Sequence, residues 1–429
     1  MSANPSPRYR PTPLDDAPPA PRIAVASAAG AAGTRSSPAG IAGATDARGG
    51  NDHHDAAGEL QGRQAMRPNG RDLMTPRLAG TARRRRGTLG VALVGFGYWG
   101  PNLARNVVES PDMVLRSLCE RDPARAEAFS ARYPGIPVEC DLQRVLDDPR
   151  VDALVVATPP RTHHTIVKAA LEAGKHVLVE KPLAKTTCDA LDLISCADRA
   201  GLVLMPGHTF LYSPPVMKVR ELIAEDVLGE VYFITSSRMN LGKYQADGVI
   251  CDLAPHDLSI LLYWLGRPVV EVSASARSVF QDDVPETAFL TLTFDSGATA
   301  NVQISWLAPR KVREMVIVGS RRMVQYDDTA ADDLVRVYDR GMEFSTPASF
   351  GEYQLSYRTG DILSPRVEVT EPLSLEMADF CRAVRTRSEP RSSARLGLDV
   401  VRTIEAIDRS LACKGRPVEL AAHRLTVVA

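Results

Sequence analysis

The feature that most constrains this chain is the stretch from Gly90 to Gly100, G-V-A-L-V-G-F-G-Y-W-G. An apolar run, Val91 to Val94, ends in a Gly-x-Gly-x-x-Gly turn, and a helix-compatible stretch from Asn102 to Glu109 follows. Strand, glycine turn and helix in that order form the context in which the pattern acquires a physical meaning. Gly95 permits the tight turn, Gly97 lets the backbone approach a pyrophosphate, and Gly100 lets helix and strand pack closely. The N-terminus of the following helix offers free N–H groups and the positive end of a dipole to phosphates. The turn, with Phe96, Tyr98 and Trp99 between its glycines, is therefore read as a dinucleotide-binding loop, and a dinucleotide implies redox chemistry. A second signal lies at the matching distance. Val114 to Cys119 reads as the next strand, and Glu120 follows it. An acid there accepts both hydroxyls of an adenosine ribose and repels a 2′-phosphate, so NAD is expected over NADP. Arg121 beside it is the group that would instead hold such a phosphate.

From residue 87 to 209 short apolar strands recur between helices of about ten residues, the signature of an α/β, doubly wound parallel sheet. From 210 to 429 the strands lengthen and alternate. Thr287–Phe294 and Ala298–Trp306 flank a turn at Asp295-Ser296-Gly297, further strands are expected at Leu334–Tyr338 and Arg366–Val369, and helices at 373–386 and 394–412. This second, substrate-binding and oligomerisation domain is expected to be α+β, with one large, open, mixed and largely antiparallel sheet covered by helices on one face. Ala298, Ala300, Val302, Ile304 and Trp306 point one way; Thr299, Asn301, Gln303 and Ser305 point the other and carry no charge. An uncharged second face suits a subunit interface. Residues 1–86 are rich in Ala, Pro, Gly, Ser and Arg, bury too little apolar surface to offset their conformational entropy, and are expected to be a disordered tail.

Charge is balanced, 51 basic against 52 acidic side chains, which argues against a nucleic-acid binder. No apolar run reaches the roughly 18 residues of a membrane span. The cysteines (119, 140, 188, 196, 251, 381 and 413) are scattered without a C-x-x-C, the pattern of reduced thiols in a cytoplasmic protein. No HExxH, cysteine pair or carboxylate cluster offers a metal site.

Three short constellations carry chemistry. The first, A-T-P-P-R-T-H-H from Ala157 to His164, follows a buried strand, so its loop faces the ligand crevice, with Thr158 and Pro159 on the nicotinamide side. The second, Glu180-Lys181-Pro182, also ends a strand; a lysine there can hold an alkoxide or carboxamide, and the proline admits a cis peptide. The third is Asp252-Leu-Ala-Pro255-His256-Asp257, ahead of a helix read from Leu258 to Leu265, with Pro255 in its first turn. The offset of four brings Asp252 close to His256. Histidine titrates near working pH and suits removal of a hydroxyl proton, with the carboxylate orienting it. Closure between the domains is expected to bring Lys181 to Asp252 and His256. His176 and His208, on apolar strands, read as satisfied structural residues.

Taken in order, V-G-F-G-Y-W-G, A-T-P-P-R-T-H, E-A-G-K-H-V-L-V-E-K-P-L and D-L-A-P-H-D resemble the Gfo/Idh/MocA family of NAD(P)-dependent oxidoreductases. The resemblance implies an N-terminal Rossmann domain, a C-terminal open-sheet domain, and hydride transfer on sugars, cyclitols or related alcohols. It implies that Lys181 is the active-site lysine, His256 the catalytic histidine, Asp252 its D-x-x-x-H partner and His163 the histidine after A-T-P. Cofactor contacts are thereby expected from Gly95, Phe96, Gly97, Tyr98, Trp99, Gly100, Glu120, Arg121, Thr158, Pro159, His163, Glu180 and Lys181. Substrate contacts are expected from Lys181, Tyr212, Asn240, Asp252 and His256. Two places depart from the family pattern. Leu211 stands where many members have arginine in H-x-x-R-F, and Gly248-Val-Ile-Cys251 replaces a glycine run. The stretch R-M-N-L-G (238–242) resembles members that handle nucleotide-linked or amino sugars. Sheet-to-sheet packing into a homodimer or homotetramer is implied as well. Two other functions are compatible with the same residues: an NAD-using glycoside hydrolase that works by oxidation and elimination, and a non-catalytic ligand sensor. Net NADH distinguishes the first of these from a dehydrogenase.

Overall fold

The structure, a computed structural model, describes residues 87–242, 244–245, 247–345 and 354–420. The expected tail, 1–86, lies outside the described residues. The first lobe runs β1 (Leu89–Val94), α1 (Gly100–Glu109), β2 (Met113–Cys119), α2 (Pro123–Arg132), β3 (Val138–Glu139), α3 (Leu142–Leu146), β4 (Ala153–Val156), α4 (His163–Glu172), β5 (His176–Glu180), α5 (Thr187–Ala200) and β6 (Leu204–Gly207). All six strands are parallel, in the order β3-β2-β1-β4-β5-β6. The direction of winding reverses between β1 and β4, which opens a crevice at the carboxyl ends of those strands. β1 and β4 are buried over their whole length, as unbroken apolar runs require in a sheet covered on both faces. Local signals set the helix ends. Asp122 accepts from the Ala124 and Arg125 N–H groups to cap α2, and Gly201, at φ 63°, terminates α5.

The second lobe runs α6 (Pro214–Ala224), β7 (Val231–Met239), α7 (Gly248–Leu265), β8 (Val269–Arg277), β9 (Thr287–Phe294), β10 (Thr299–Ser305), β11 (Val312–Gly319), β12 (Met323–Asp327), β13 (Val335–Ser345), β14 (Gln354–Leu363), α8 (Pro372–Thr386), α9 (Ala394–Ala412) and β15 (Val418–Glu419). Its nine strands form one sheet in the order β14-β13-β12-β11-β7-β10-β9-β8-β15. β7 and β10 pair in parallel and the other ladders are antiparallel, the mixed open sheet expected. Ala300, Val302 and Ile304 are buried with α6, α7 and α9 in one core, while Thr299 and Asn301 face outward.

Several elements differ from the sequence reading. Helix α6 was not expected; it opens on Pro214-Pro215, which the first turn tolerates. Residues 366–369 form no strand, because Pro365 cannot donate to a ladder, and the last long strand is β14 instead. Helix α7 begins at Gly248, so Pro255 lies in its interior rather than its first turn. The two lobes share helices. Leu373, Met377 and Phe380 of α8 are buried with Leu103 and Val107 of α1, although they follow the second sheet in sequence. Leu398 and Val401 of α9 pack with Val179 and Leu193, while its Val400 and Ile404 belong to the core under the nine-stranded sheet. No helix among the described residues is long and apolar enough to cross a membrane.

Candidate active site

The three glycines of the first turn have separate reasons. Gly95 sits at φ +93°, and a Cβ there would lie 2.8 Å from the Ala157 carbonyl oxygen. A Cβ on Gly100 would lie 2.9 Å from the Gly95 carbonyl oxygen. Both places exclude any side chain. At Gly97 the nearest atom to a Cβ is the Arg125 guanidinium at 3.7 Å, so this face of the backbone is open to a ligand. α1 starts without a side-chain cap, which leaves its first N–H groups available to phosphate. Tyr98 is exposed and Trp99 half-buried. Phe96 turns inward, edge-on to Phe129 with ring centroids 5.1 Å apart. Its side chain is therefore core, and any part it takes in the dinucleotide loop falls to its backbone.

Glu120 is fixed at the end of β2. One oxygen accepts from the Phe96 N–H at 2.7 Å, the other from the N–H groups of Arg121 (2.8 Å) and Asp122 (3.0 Å). Its carboxylate thus lies against the glycine turn, while Arg121 is exposed beside it. An open glycine, an uncapped helix start and an acid at the next strand end fit NAD.

The loops after β4 and β5 are tied together by His163. This residue is fully buried, with Nδ1 2.8 Å from the Pro182 carbonyl and Nε2 2.9 Å from the Thr158 carbonyl. Both ring nitrogens are committed to the protein, so His163 joins the two loops. The Thr162 hydroxyl donates to Thr158 Oγ1 at 2.8 Å, and Pro159 is exposed at the crevice. The Lys181–Pro182 peptide is cis. Glu180 Oε1 is enclosed without a partner, and burial pushes this carboxyl up to about 7.

Lys181 reaches across to the second lobe. Its ammonium donates to the Asp252 carbonyl oxygen at 2.7 Å and to Asp252 Oδ1 at 3.3 Å. The other carboxylate oxygen, Oδ2, accepts from the Trp306 indole N–H at 3.1 Å. Asp252 is thus held by Lys181 and Trp306. His256 is half-buried one turn on, and its Nδ1 has no hydrogen-bond partner. Asp252 orienting His256, expected from their spacing, is not the arrangement found. Burial holds the imidazole well below its usual protonation range, and nearby Lys181, Arg238, Arg313 and His208 add to this.

Other expected residues lie elsewhere. Tyr212 is buried, its hydroxyl donating to Asp379 Oδ2 at 2.8 Å and accepting from the Ser392 N–H at 3.1 Å. α8 closes over it, so it does not face substrate. Asn240 ends β7 next to Trp306, its N–H donating to the Ser305 carbonyl at 3.1 Å. His176 is satisfied, accepting from the Val203 N–H at 2.9 Å. His208 is not: it is buried with neither ring nitrogen bonded. The Cys251 thiol is pushed up to about 11 by burial and is no nucleophile at neutral pH. Trp306 was missed as a site residue, because its place in the strand alternation marks it only as core.

Residues 89–208 match the oxidoreductase family with the NAD-binding Rossmann fold, and residues 216–325 match the Gfo/Idh/MocA C-terminal domain. The chain belongs to the Gfo/Idh/MocA oxidoreductase family. Among curated relatives, it is 32% identical over 206 residues to the 1-carboxy-3-chloro-3,4-dihydroxycyclohexa-1,5-diene dehydrogenase of Comamonas testosteroni. That match covers 45% of this chain and about half, 52%, of the relative. It is 27% identical over 350 residues to the D-xylose 1-dehydrogenase (NADP(+)) 2 of Haloferax volcanii, covering 78% of this chain and 99% of that one. Among solved structures, GenD2 from gentamicin A biosynthesis, in complex with NAD, superposes with a TM-score of 0.66 at 27% identity, covering 83% of this chain and 100% of GenD2. This Gfo/Idh/MocA member is an NAD(P)-dependent oxidoreductase whose first lobe is the family's NAD-binding domain.

Proposed function

We propose that this protein is an NAD-dependent dehydrogenase that oxidises a hydroxyl-bearing carbon of a sugar, nucleotide-sugar or cyclitol. The observation that carries the reading is the juxtaposition at the lobe boundary. Lys181, from the carboxyl end of β5, meets Asp252 of α7, and His256 lies one turn along the same helix. NAD, when bound, supplies the hydride acceptor. It would be held by Gly95, Gly97 and Gly100, the start of α1, and Glu120. Lys181 donates to the reacting oxygen, which stabilises the alkoxide that forms. His256 accepts the hydroxyl proton, a role for which its lowered protonation range leaves it vacant at neutral pH. Asp252 keeps the ammonium in place while Trp306 keeps Asp252 in place. Relatives named as dehydrogenases of a cyclic diol and of a pentose support the substrate class, and nothing among the described residues favours the oxidation–elimination alternative.

The open face of the nine-stranded sheet supports a homodimer or homotetramer. Thr299 and Asn301 of β10 lie on it, as do exposed Phe233 and Phe289 of the flanking strands. The free cysteines, of which Cys140, Cys188 and Cys413 are exposed, are in keeping with a reducing cytoplasm. The division into two functional domains at 209/210 is part of the same proposal. A panel of sugars, cyclitols and nucleotide sugars with NAD tests the reading by the accumulation of NADH. Cleavage of a glycoside from the panel without net NADH would reverse it.

A further inference from the structure

Phe210 lies just past β6, in the stretch where the chain departs from the family pattern. Its ring meets the His256 imidazole edge-on, with centroids 5.1 Å apart and planes at 69°. Two guanidinium groups lie over the same phenyl ring, Arg238 at 4.4 Å and Arg313 at 5.4 Å. These arginines are direct cross-strand partners on β7 and β11. Like charges placed opposite each other in a sheet are destabilising. Each is therefore balanced by its own carboxylate. Buried Arg238 makes a two-pronged pair with Asp257, at 2.8 and 3.1 Å, and Arg313 pairs with Asp328 at 3.0 Å. Asp257 is the residue after His256, so the Arg238 pair anchors the turn of α7 that carries the imidazole.

We propose that Phe210, clamped between this arginine pair and His256, is a positioning residue that fixes the imidazole plane, and that Arg238 and Arg313 present positive charge to the imidazole across that ring. The inference rests on His256 being the proton acceptor. The charged and titratable groups around that imidazole are Lys181 from the end of β5, Arg238 from β7, Arg313 from β11 and His208 from the end of β6, the last kept neutral by its own burial, which lowers it to about 3. The carboxylates of its own helix are engaged elsewhere, Asp252 by Lys181 and Trp306, and Asp257 by Arg238 and Ser236. Nδ1, with no partner of its own, receives no carboxylate that would stabilise the imidazolium. Burial first, and then these nearby groups, hold the imidazole below its usual protonation range.

The test uses the full chain with NAD and the alcohol that the panel identifies. Arg313, partly exposed, is replaced by Gln and separately by Lys; Phe210 is replaced by Leu. The His256 imidazole is titrated by NMR in protein carrying labelled histidine, with its signal assigned by loss in His256→Asn, and kcat/KM is followed against pH. Loss of one cation should raise the imidazole titration and the acidic limb of the profile by roughly half to one pH unit. The plateau at higher pH should stay within twofold, and Arg313→Lys should restore the parent limb. Phe210→Leu should lower kcat about tenfold with KM unchanged. An imidazole titration identical in Arg313→Gln and the parent would overturn the proposal, as would Phe210→Leu with unchanged kcat. A titration that moves while the limb stays would support the cation effect and overturn the proton-acceptor reading beneath it.

Discussion

Replacing Trp306 by Phe removes one N–H and part of one ring, and the two losses have different readouts. Trp306 is only 3% exposed, so the smaller ring leaves a cavity in the second core; truncations of this kind cost about 1–3 kcal/mol of stability. The lost N–H is the donor to Asp252 Oδ2 at 3.1 Å. A hydrogen bond to a charged group is worth about 1.5–3 kcal/mol, and the lower end applies because water reaches part of the Asp252 side chain, which is 29% exposed. If the carboxylate then moves, the Lys181 ammonium at 3.3 Å moves with it. About 1.4 kcal/mol lost in the transition state corresponds to a tenfold fall in kcat/KM. NAD affinity should be nearly unchanged, since Trp306 lies on the second lobe, away from the glycine turn. The assay is steady-state oxidation with the identified alcohol, alongside thermal unfolding and NAD titration on the same sample. A variant that melts lower but turns over at the parent rate would refute the reasoning and reduce Trp306 to a core residue.

The remaining predictions address the other parts of the site. His256→Ala should cut turnover by roughly 10²- to 10⁴-fold while calorimetry finds NAD affinity unchanged; near-parent single-turnover rates across pH would place the base elsewhere. Glu120 should make NAD bind more tightly than NADP, and Glu120→Ala should narrow that gap; equal affinities in the parent would shift the credit to Arg121. Gly100→Ala should lower stability and NAD affinity together, because its Cβ would lie 2.9 Å from the Gly95 carbonyl oxygen and must push α1 off β1; a variant with parent melting temperature and affinity would show that the turn can adapt. In solution at micromolar concentration the protein should have the mass of a dimer or tetramer, and a monomeric mass would leave the uncharged sheet face without its expected use.

The cofactor half of the site was legible because its determinants are local. Glycine spacing, a strand end and an acid twenty residues on are all written within one βαβ unit, and the alternation of short strands with helices marks the parallel sheet. The substrate half was legible in residue type but not in contact. Asp252 and His256 are four apart on one helix, which suggests a pair. A lysine arriving from 71 residues away and an indole 54 residues away take both carboxylate oxygens instead. Tyr212 failed for the same kind of reason. Its partner Asp379 lies 167 residues on, in a helix that follows the second sheet in sequence but packs in the core of the first. Proximity of that origin leaves no periodicity to read.

The same shared helices bear on how the site assembles. Domain closure was expected to bring Lys181 to Asp252 and His256. In the structure the ammonium already touches Asp252, α8 packs in the core of the first lobe, and α9 packs across both lobes. Separating the lobes would break the Lys181–Asp252 pair and expose apolar surface on α9 at roughly 25 cal/mol per Å². A hinge is therefore resisted at the very place where the chemistry sits. Among the described residues, His256 Nδ1, both His208 nitrogens and Glu180 Oε1 are enclosed without a hydrogen-bond partner. Lys181, held by Asp252 before any ligand arrives, is a preorganised donor of the kind that acts without reorganising during the reaction.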